Sequence, residues 1–189
     1  MNETQVEVDG KAGHRSGKDN RDTSPRRGKR MRLPPLVAVE RGAPLPLSFA
    51  QERLWFLEQL GLVGTAYNIP FGLKLEGELN TLALERSFQE LLRRHESLRT
   101  HFVNVDGIPA QVIDAPTLFS LPVEDLSSLS AEEKGREWKR LSGEEARRSF
   151  DLRKGPLLRA VLLKLEALEH ILLVTIHHIA ADGWSLGIL

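Results

Sequence analysis

The chain has 189 residues, 26 basic and 26 acidic side chains, six His and no Cys. At roughly 100–200 residues per domain this is one domain or part of a larger one, and a hydrophobic share of 41% is too high for a wholly disordered chain. Zero net charge argues against a dedicated nucleic-acid binder, and the absence of Cys excludes a disulfide framework, a Cys nucleophile and a thiolate metal site.

The neutral total hides a division. Residues 1–34 hold nine Lys or Arg against five acids, a net +4, and the remainder carries −4. Large apolar side chains are nearly absent from this stretch, so it is expected to be a disordered basic tail or linker. It lacks the apolar run of about 7–15 residues that a signal peptide needs. No stretch of the chain approaches the roughly 18 apolar residues of a membrane span. The expectation is a soluble, cytoplasmic protein that contacts neither nucleic acid nor membrane.

Residues 35–47 are Pro-rich and read as an extended lead-in, because each Pro disfavours helix in the residue before it. Ser48, with Gln51 three residues on, forms a capping box for a helix. Phe49, Leu54, Trp55, Phe56, Leu57 and Leu60 give that helix a broad apolar face, expected to be buried, and Gly61 and Gly64 stop it. Gln51 and Arg53 are polar residues on this otherwise apolar helix and are expected to satisfy buried groups rather than touch substrate. Tyr67 to Leu75 alternates with period two and reads as a strand. From Thr81 to His95 apolar residues recur at helical spacing, with Glu90 and Arg94 as a favourable (i, i+4) pair. Arg94 at this helix end suits the dipole, Arg99 lies near the next strand, and Glu96 is expected to pair with one of them.

Leu98 to Val105 reads as a strand, turning at Asp106-Gly107 into Ala110 to Ile113. Ala131 to Arg148 is a charged surface helix. Leu157 to Leu165 and His170 to Ile176 are strands joined by a turn at Glu166 to Glu169, and a further helix starts after Gly183, with Ser185 as its cap. The order predicts an α/β sandwich with a mixed or antiparallel sheet flanked by helices. It is not doubly wound, since neighbouring strands are too close for helical crossovers.

The sharpest chemical feature is His177-His178-Ile179-Ala180-Ala181-Asp182-Gly183, directly after the last strand. Alternation sends His177 and His178 in opposite directions, so one of them can face a substrate and the other the interior. Three readings are open from spacing alone: two core histidines finishing a strand, a metal site with Asp182, or a general base. The metal reading is the weakest, because adjacent histidines on a strand diverge, and no metal site is expected.

This segment, with Trp184-Ser185 after it, resembles the active-site motif of condensation domains of nonribosomal peptide synthetases. Ser48 to Leu57 (SFAQERLWFL) is similar to the family's first signature, and Arg94 to Thr100 (RHESLRT) to its second, in the same order. The resemblance covers residues 44–189. It implies the N-terminal lobe of a chloramphenicol acetyltransferase-like fold over residues 48–189, with the second lobe missing. It also implies amide bond formation between a donor acyl or peptidyl thioester and an acceptor aminoacyl thioester, in secondary-metabolite biosynthesis.

By the same resemblance His178 is the catalytic residue, acting on the amine proton or on the charged intermediate. His177, Asp182 and Gly183 are its structural supports, and Asp182 is expected to pair with an arginine of the second lobe. Arg53, Arg94, Arg99 and Trp184 are supporting residues. No cofactor is bound covalently; phosphopantetheine arms of partner carrier domains present both substrates. The implied partners are donor and acceptor carrier domains, adenylation domains and the second lobe. Two alternatives remain open: a non-catalytic lobe serving as an interaction module, and an acyltransferase of the same superfamily.

Overall fold

The computed structural model describes residues 35, 37–38, 43–61 and 63–188. The expected tail over 1–34 lies outside them. The chain divides into two units, Met1–Ala38 and Val39–Leu189. Of the first, Pro35, Val37 and Ala38 are described, without regular structure. Everything below belongs to the second.

Its strands are β1 (Leu45–Pro46), β2 (Asn68–Glu76), β3 (Thr100–Val105), β4 (Ile108–Ile113), β5 (Val123–Asp125), β6 (Leu158–Glu166) and β7 (Glu169–His177). Its helices are α1 (Phe49–Gln59), α2 (Thr81–Arg94) and α3 (Ala131–Arg147). The strands form two sheets, ordered β1-β4-β3 and β2-β7-β6-β5. The first is antiparallel; the second is mixed, since β5 runs parallel to β6 while β2, β7 and β6 are antiparallel neighbours. This is the α/β arrangement with a mixed sheet that the sequence predicts.

Period-two alternation makes the larger sheet two-sided. Leu158, Ala160 and Leu162 of β6, with Leu172, Val174 and Ile176 of β7, pack with Phe88 and Leu92 of α2. Leu163 and Leu173 face the other way, toward Leu126, Trp138 and Leu141. A third cluster closes the end of the sheet: Leu47, Trp55, Phe102, Phe150, Leu152, Leu157 and Ile179. Each fully buried Leu or Phe contributes about 1.5–3 kcal/mol relative to exposure.

The capping box is present, with the Ser48 hydroxyl accepting the Gln51 N–H and Gln51 Oε1 accepting the Ser48 N–H at 2.9 Å. Gly61 follows with φ +65°, a conformation that favours glycine at a helix end. The helix buries less than its composition promised. Trp55 is its buried residue, while Phe56 and Leu60 are exposed and Phe49 is 92% exposed. Apolar residues surround this helix, but only one side meets the body of the lobe. Arg53 is likewise exposed, with no partner among the described residues, and does not serve a buried group. Gln51 does bond within the lobe, donating to Gln111 Oε1 at 3.4 Å.

The turn at Asp106-Gly107 has positive φ at both residues, 51° and 86°, the geometry of a two-residue hairpin. The segment Leu98-Arg99, expected as strand, is part of a 3₁₀ turn, Glu96–Arg99. Its cause is local: the Thr100 hydroxyl donates to Glu96 O, and the Arg99 guanidinium ties Leu92 O and Asp114 O together across the turn. β5 escapes a sequence reading because three exposed residues carry no period. After Gly183 the chain makes a short 3₁₀ turn, Ser185–Gly187. No helix among the described residues is long and apolar enough to cross a membrane.

Candidate active site

The central strand β7 ends on His177, and both neighbours grip the chain there. The His177 N–H donates to Leu157 O at 3.0 Å, and the His178 N–H donates to Tyr67 O at 2.8 Å. The two side chains part as alternation requires. His177 is 3% exposed, whereas His178 is exposed, with the Tyr67 ring edge-on at 6.4 Å.

His177 is enclosed by rings. Phe150 lies edge-on with centroids 5.8 Å apart, and Tyr67 lies at 6.4 Å. Its Nδ1 accepts the Ile179 N–H at 3.2 Å, which places the proton of the neutral ring on Nε2. Burial, then the charges of His178 and Arg159, push its pKa down to about 4. His177 is therefore neutral at neutral pH and acts as a fixed acceptor.

The following loop is pinned at alternate residues. Ile179 is buried in the cluster around Trp55 and Phe102, and Ala181 in the cluster around Phe88 and Leu98. The Ala180 N–H donates to His177 O at 2.9 Å. Between and beyond these anchors His178, Asp182, Gly183 and Trp184 are exposed, Trp184 at 85%. A side chain on such a loop meets solvent from a rigid base.

Asp182 caps the last turn. Its Oδ1 accepts the Ser185 N–H at 2.9 Å and the Ser185 hydroxyl at 2.7 Å. These hydrogen bonds, the hydroxyl first, hold its pKa below the usual carboxylate range. The cap expected of Ser185 is thus supplied by Asp182, with Ser185 as donor, because a carboxylate accepts two bonds at once. At Gly183 a Cβ would meet nothing within 4 Å, so the space over this residue is open.

The two other signatures reach the loop from behind. Trp55 shares a cluster with Ile179. Leu98 shares one with Ala181, and Leu98 O accepts the Leu157 N–H at 3.0 Å. A cavity of about 140 Å³ separates His95 and Ser97 from Ala180, Ala181 and Ser185. The arginines stand away from the loop. Arg94 pairs with Glu90 at 2.6 Å, and Arg99 donates to Leu92 O at 3.1 Å with Glu96 at 3.8 Å. A larger apolar groove of about 590 Å³ runs along β2 and β7, lined by Ile69, Phe71, Leu73, Leu172, Ile176 and Leu186. Among the described residues no three His, Asp or Glu side chains are grouped to hold a metal ion.

Sequence reasoning missed Phe150, Tyr67 and Arg159. Arg159 had a signal: it shares the register of Val161 and Leu163 on a strand, where a charge stands out against an apolar row.

The family model for the condensation domain matches residues 43–189. A linear gramicidin synthase of Brevibacillus parabrevis is 49% identical over 150 residues, 79% of this chain and 2% of that protein. Chondramide synthase cmdD of Chondromyces crocatus is 48% identical over 145 residues, 76% of this chain and 4% of that protein. Among solved structures, the starter condensation domain of rhizomide synthetase RzmA superposes with TM-score 0.67 at 26% identity, covering 77% of this chain and 36% of that one. The first condensation domain of the calcium-dependent antibiotic synthetase, in complex with substrate analogue 3a, gives TM-score 0.69 at 23% identity over 78% and 36%. The chain thus spans about a third of the solved chains and a few per cent of the curated relatives.

The fold is that of the condensation domains it superposes on, which are of the chloramphenicol acetyltransferase-like class. The chain belongs to the condensation domain family.

Proposed function

We propose that this lobe supplies the histidine face of an amide-forming centre in nonribosomal peptide synthesis. The observation that carries the reading is the placement of His178, exposed beyond the end of a fully paired central strand while its neighbour His177 is buried. In the proposed reaction the amine of an acceptor aminoacyl thioester attacks the carbonyl carbon of a donor thioester. The C–N bond forms, the C–S bond breaks, and the thiol of the donor arm leaves. His178 takes or steers the ammonium proton or stabilises the charged tetrahedral intermediate.

His177 is neutral and carries no proton to the substrate; its part is to hold the turn. Asp182 fixes the separate turn that follows, through Ser185, and the open space at Gly183 admits the thioester close to the backbone. Trp55, Arg94 and Arg99 hold the signatures behind the loop. Trp184 and Arg53 are exposed, in keeping with contacts to a second lobe or a partner. The substrates arrive on phosphopantetheine arms of donor and acceptor carrier domains, loaded by adenylation domains.

The test is amide formation from carrier-loaded donor and acceptor, read by mass spectrometry. A two-lobe domain containing this lobe is expected to turn over and to lose most activity on His178→Ala; a full rate in that variant rejects the assignment. The 189 residues alone are expected to be inactive, because alignment and water exclusion need an opposite wall. Robust turnover by the lobe alone would refute that requirement.

A further inference from the structure

We propose that Arg159 is the positioning residue of the histidine turn: it clamps the end of α3 and Phe150 against His177, and so holds that imidazole in the one tautomer that closes the turn presenting His178. The proposal rests on the reading that His178 is the acting group.

Arg159 sits on β6, paired in register with Thr175, two residues before His177 on β7. Its side chain is 16% exposed and its donors are heavily used. Nε donates to Glu145 Oε1 at 2.5 Å, Nη2 to Arg148 O at 2.6 Å and Glu145 O at 3.3 Å, and Nη1 to Ser149 O at 3.2 Å. These acceptors include Arg148 O at the C-cap of α3, beyond the reach of helical donors, and Glu145 O, which also takes the Arg148 N–H at 3.3 Å. From the opposite strand, Asn68 donates to Ala146 O at 2.9 Å and Arg148 O at 3.0 Å. Asn68 is the register partner of His177. The end of α3 is therefore held by one side chain from each strand flanking β7.

The fixed segment leads directly into Phe150. The Arg159 guanidinium carbon lies 3.7 Å from the centroid of that ring, within the range of a cation–π contact. The same ring packs edge-on against His177. A chain of contacts, guanidinium over phenyl and phenyl edge-on to imidazole, thus runs from the helix end to the turn. Imidazole rotation would break the Nδ1 contact with the Ile179 N–H and the edge-on packing against Phe150. Lysine would not replace Arg159, because a single ammonium lacks the planar fork that reaches three carbonyls and a carboxylate while stacking.

The experiment is long-range ¹H–¹⁵N correlation NMR on the histidine-labelled 189-residue chain, with amide hydrogen exchange at Ile179. The unaltered chain is expected to show His177 as a single neutral Nε2–H tautomer; an Nδ1–H ring would overturn the proposal. Arg159→Met and Arg159→Lys are each expected to populate both tautomers and to speed Ile179 exchange at least tenfold. A purely structural arginine would lower the urea midpoint while leaving tautomer and protection within twofold of the original, and that result also overturns the proposal. If the arginine variants do not fold, Phe150→Leu, which keeps the core apolar, is read in the same way: mixed tautomers support the clamp and a single one refutes it. His178→Ala is expected to leave the His177 tautomer unchanged. Failure of the amide-forming assignment therefore shows in the turnover assay and failure of the clamp in the NMR.

Discussion

His177 Nδ1 accepts the N–H of Ile179, two residues ahead, at 3.2 Å, so a single side chain closes the turn from which His178 projects. Its ring is enclosed by Phe150 and Tyr67, and the loop beyond it is seated in two separate apolar clusters. His177→Ala should leave a buried cavity and an unpaired amide, destabilising the lobe by about 2–4 kcal/mol. Urea denaturation measures this, and an unchanged midpoint would contradict the arrangement.

Acid should weaken the fold through the same ring. Its folded pKa of about 4 lies below the ordinary 6.5, so between those values the unfolded chain binds the extra proton. Stability from this group is present above pH 6.5 and is lost as pH falls to 4, about 3 kcal/mol in total at 1.36 kcal/mol per unit. Chemical denaturation from pH 7 to pH 4 should show this slope, and His177→Asn should remove this group's share of it.

Glu145 and Arg159 form a pair with side chains 10% and 16% exposed. Removing one partner of such a buried pair costs about 3–5 kcal/mol. Glu145→Ala should therefore lower the thermal midpoint far more than Glu144→Ala one residue earlier, whose carboxylate is exposed. Equal effects would show that the pair is not buried in solution.

Helix α1 gives a test of facing. Trp55→Ala should cost about 3–5 kcal/mol as a large core truncation. Phe49→Ser should stay within about 0.5 kcal/mol, the range of surface changes. A comparable loss at Phe49 would place that ring against the lobe.

The three tryptophans differ in environment: Trp55 is buried, Trp138 half-buried and Trp184 exposed. Iodide should quench one fraction of the fluorescence readily, and Trp184→Phe should abolish that fraction. Retention of the accessible fraction would mean that Trp184 is shielded.

Much of this lobe is legible in the sequence because apolar spacing is local information. The alternation in β7, the helical spacing from Leu84 to Leu92 and the Asp106-Gly107 turn each name their own structure. The capping box at Ser48 does the same. Facing is less legible. Phe49 and Trp55 read alike, and only the tertiary position of α1 separates an exposed ring from a buried one. At the site, the parting of His177 from His178 follows from period two. The cap supplied by Asp182 cannot be distinguished from one by Ser185 without distances. The hydrogen bonds from Arg159 to the end of α3 join residues 10 to 14 positions apart, with a helix end and a loop between. A charge in an apolar row marks such a residue, but does not say what it holds.

Anchoring the loop in two cores has a consequence for engineering. Residues 177–183 are not a cassette to be grafted onto another sheet. Ile179 needs a socket made by Trp55, Phe102 and Leu157, and Ala181 needs one made by Phe88 and Leu98. A transplanted motif would carry its seven letters and lose its mould, so a functional exchange between relatives has to move both sockets with the loop.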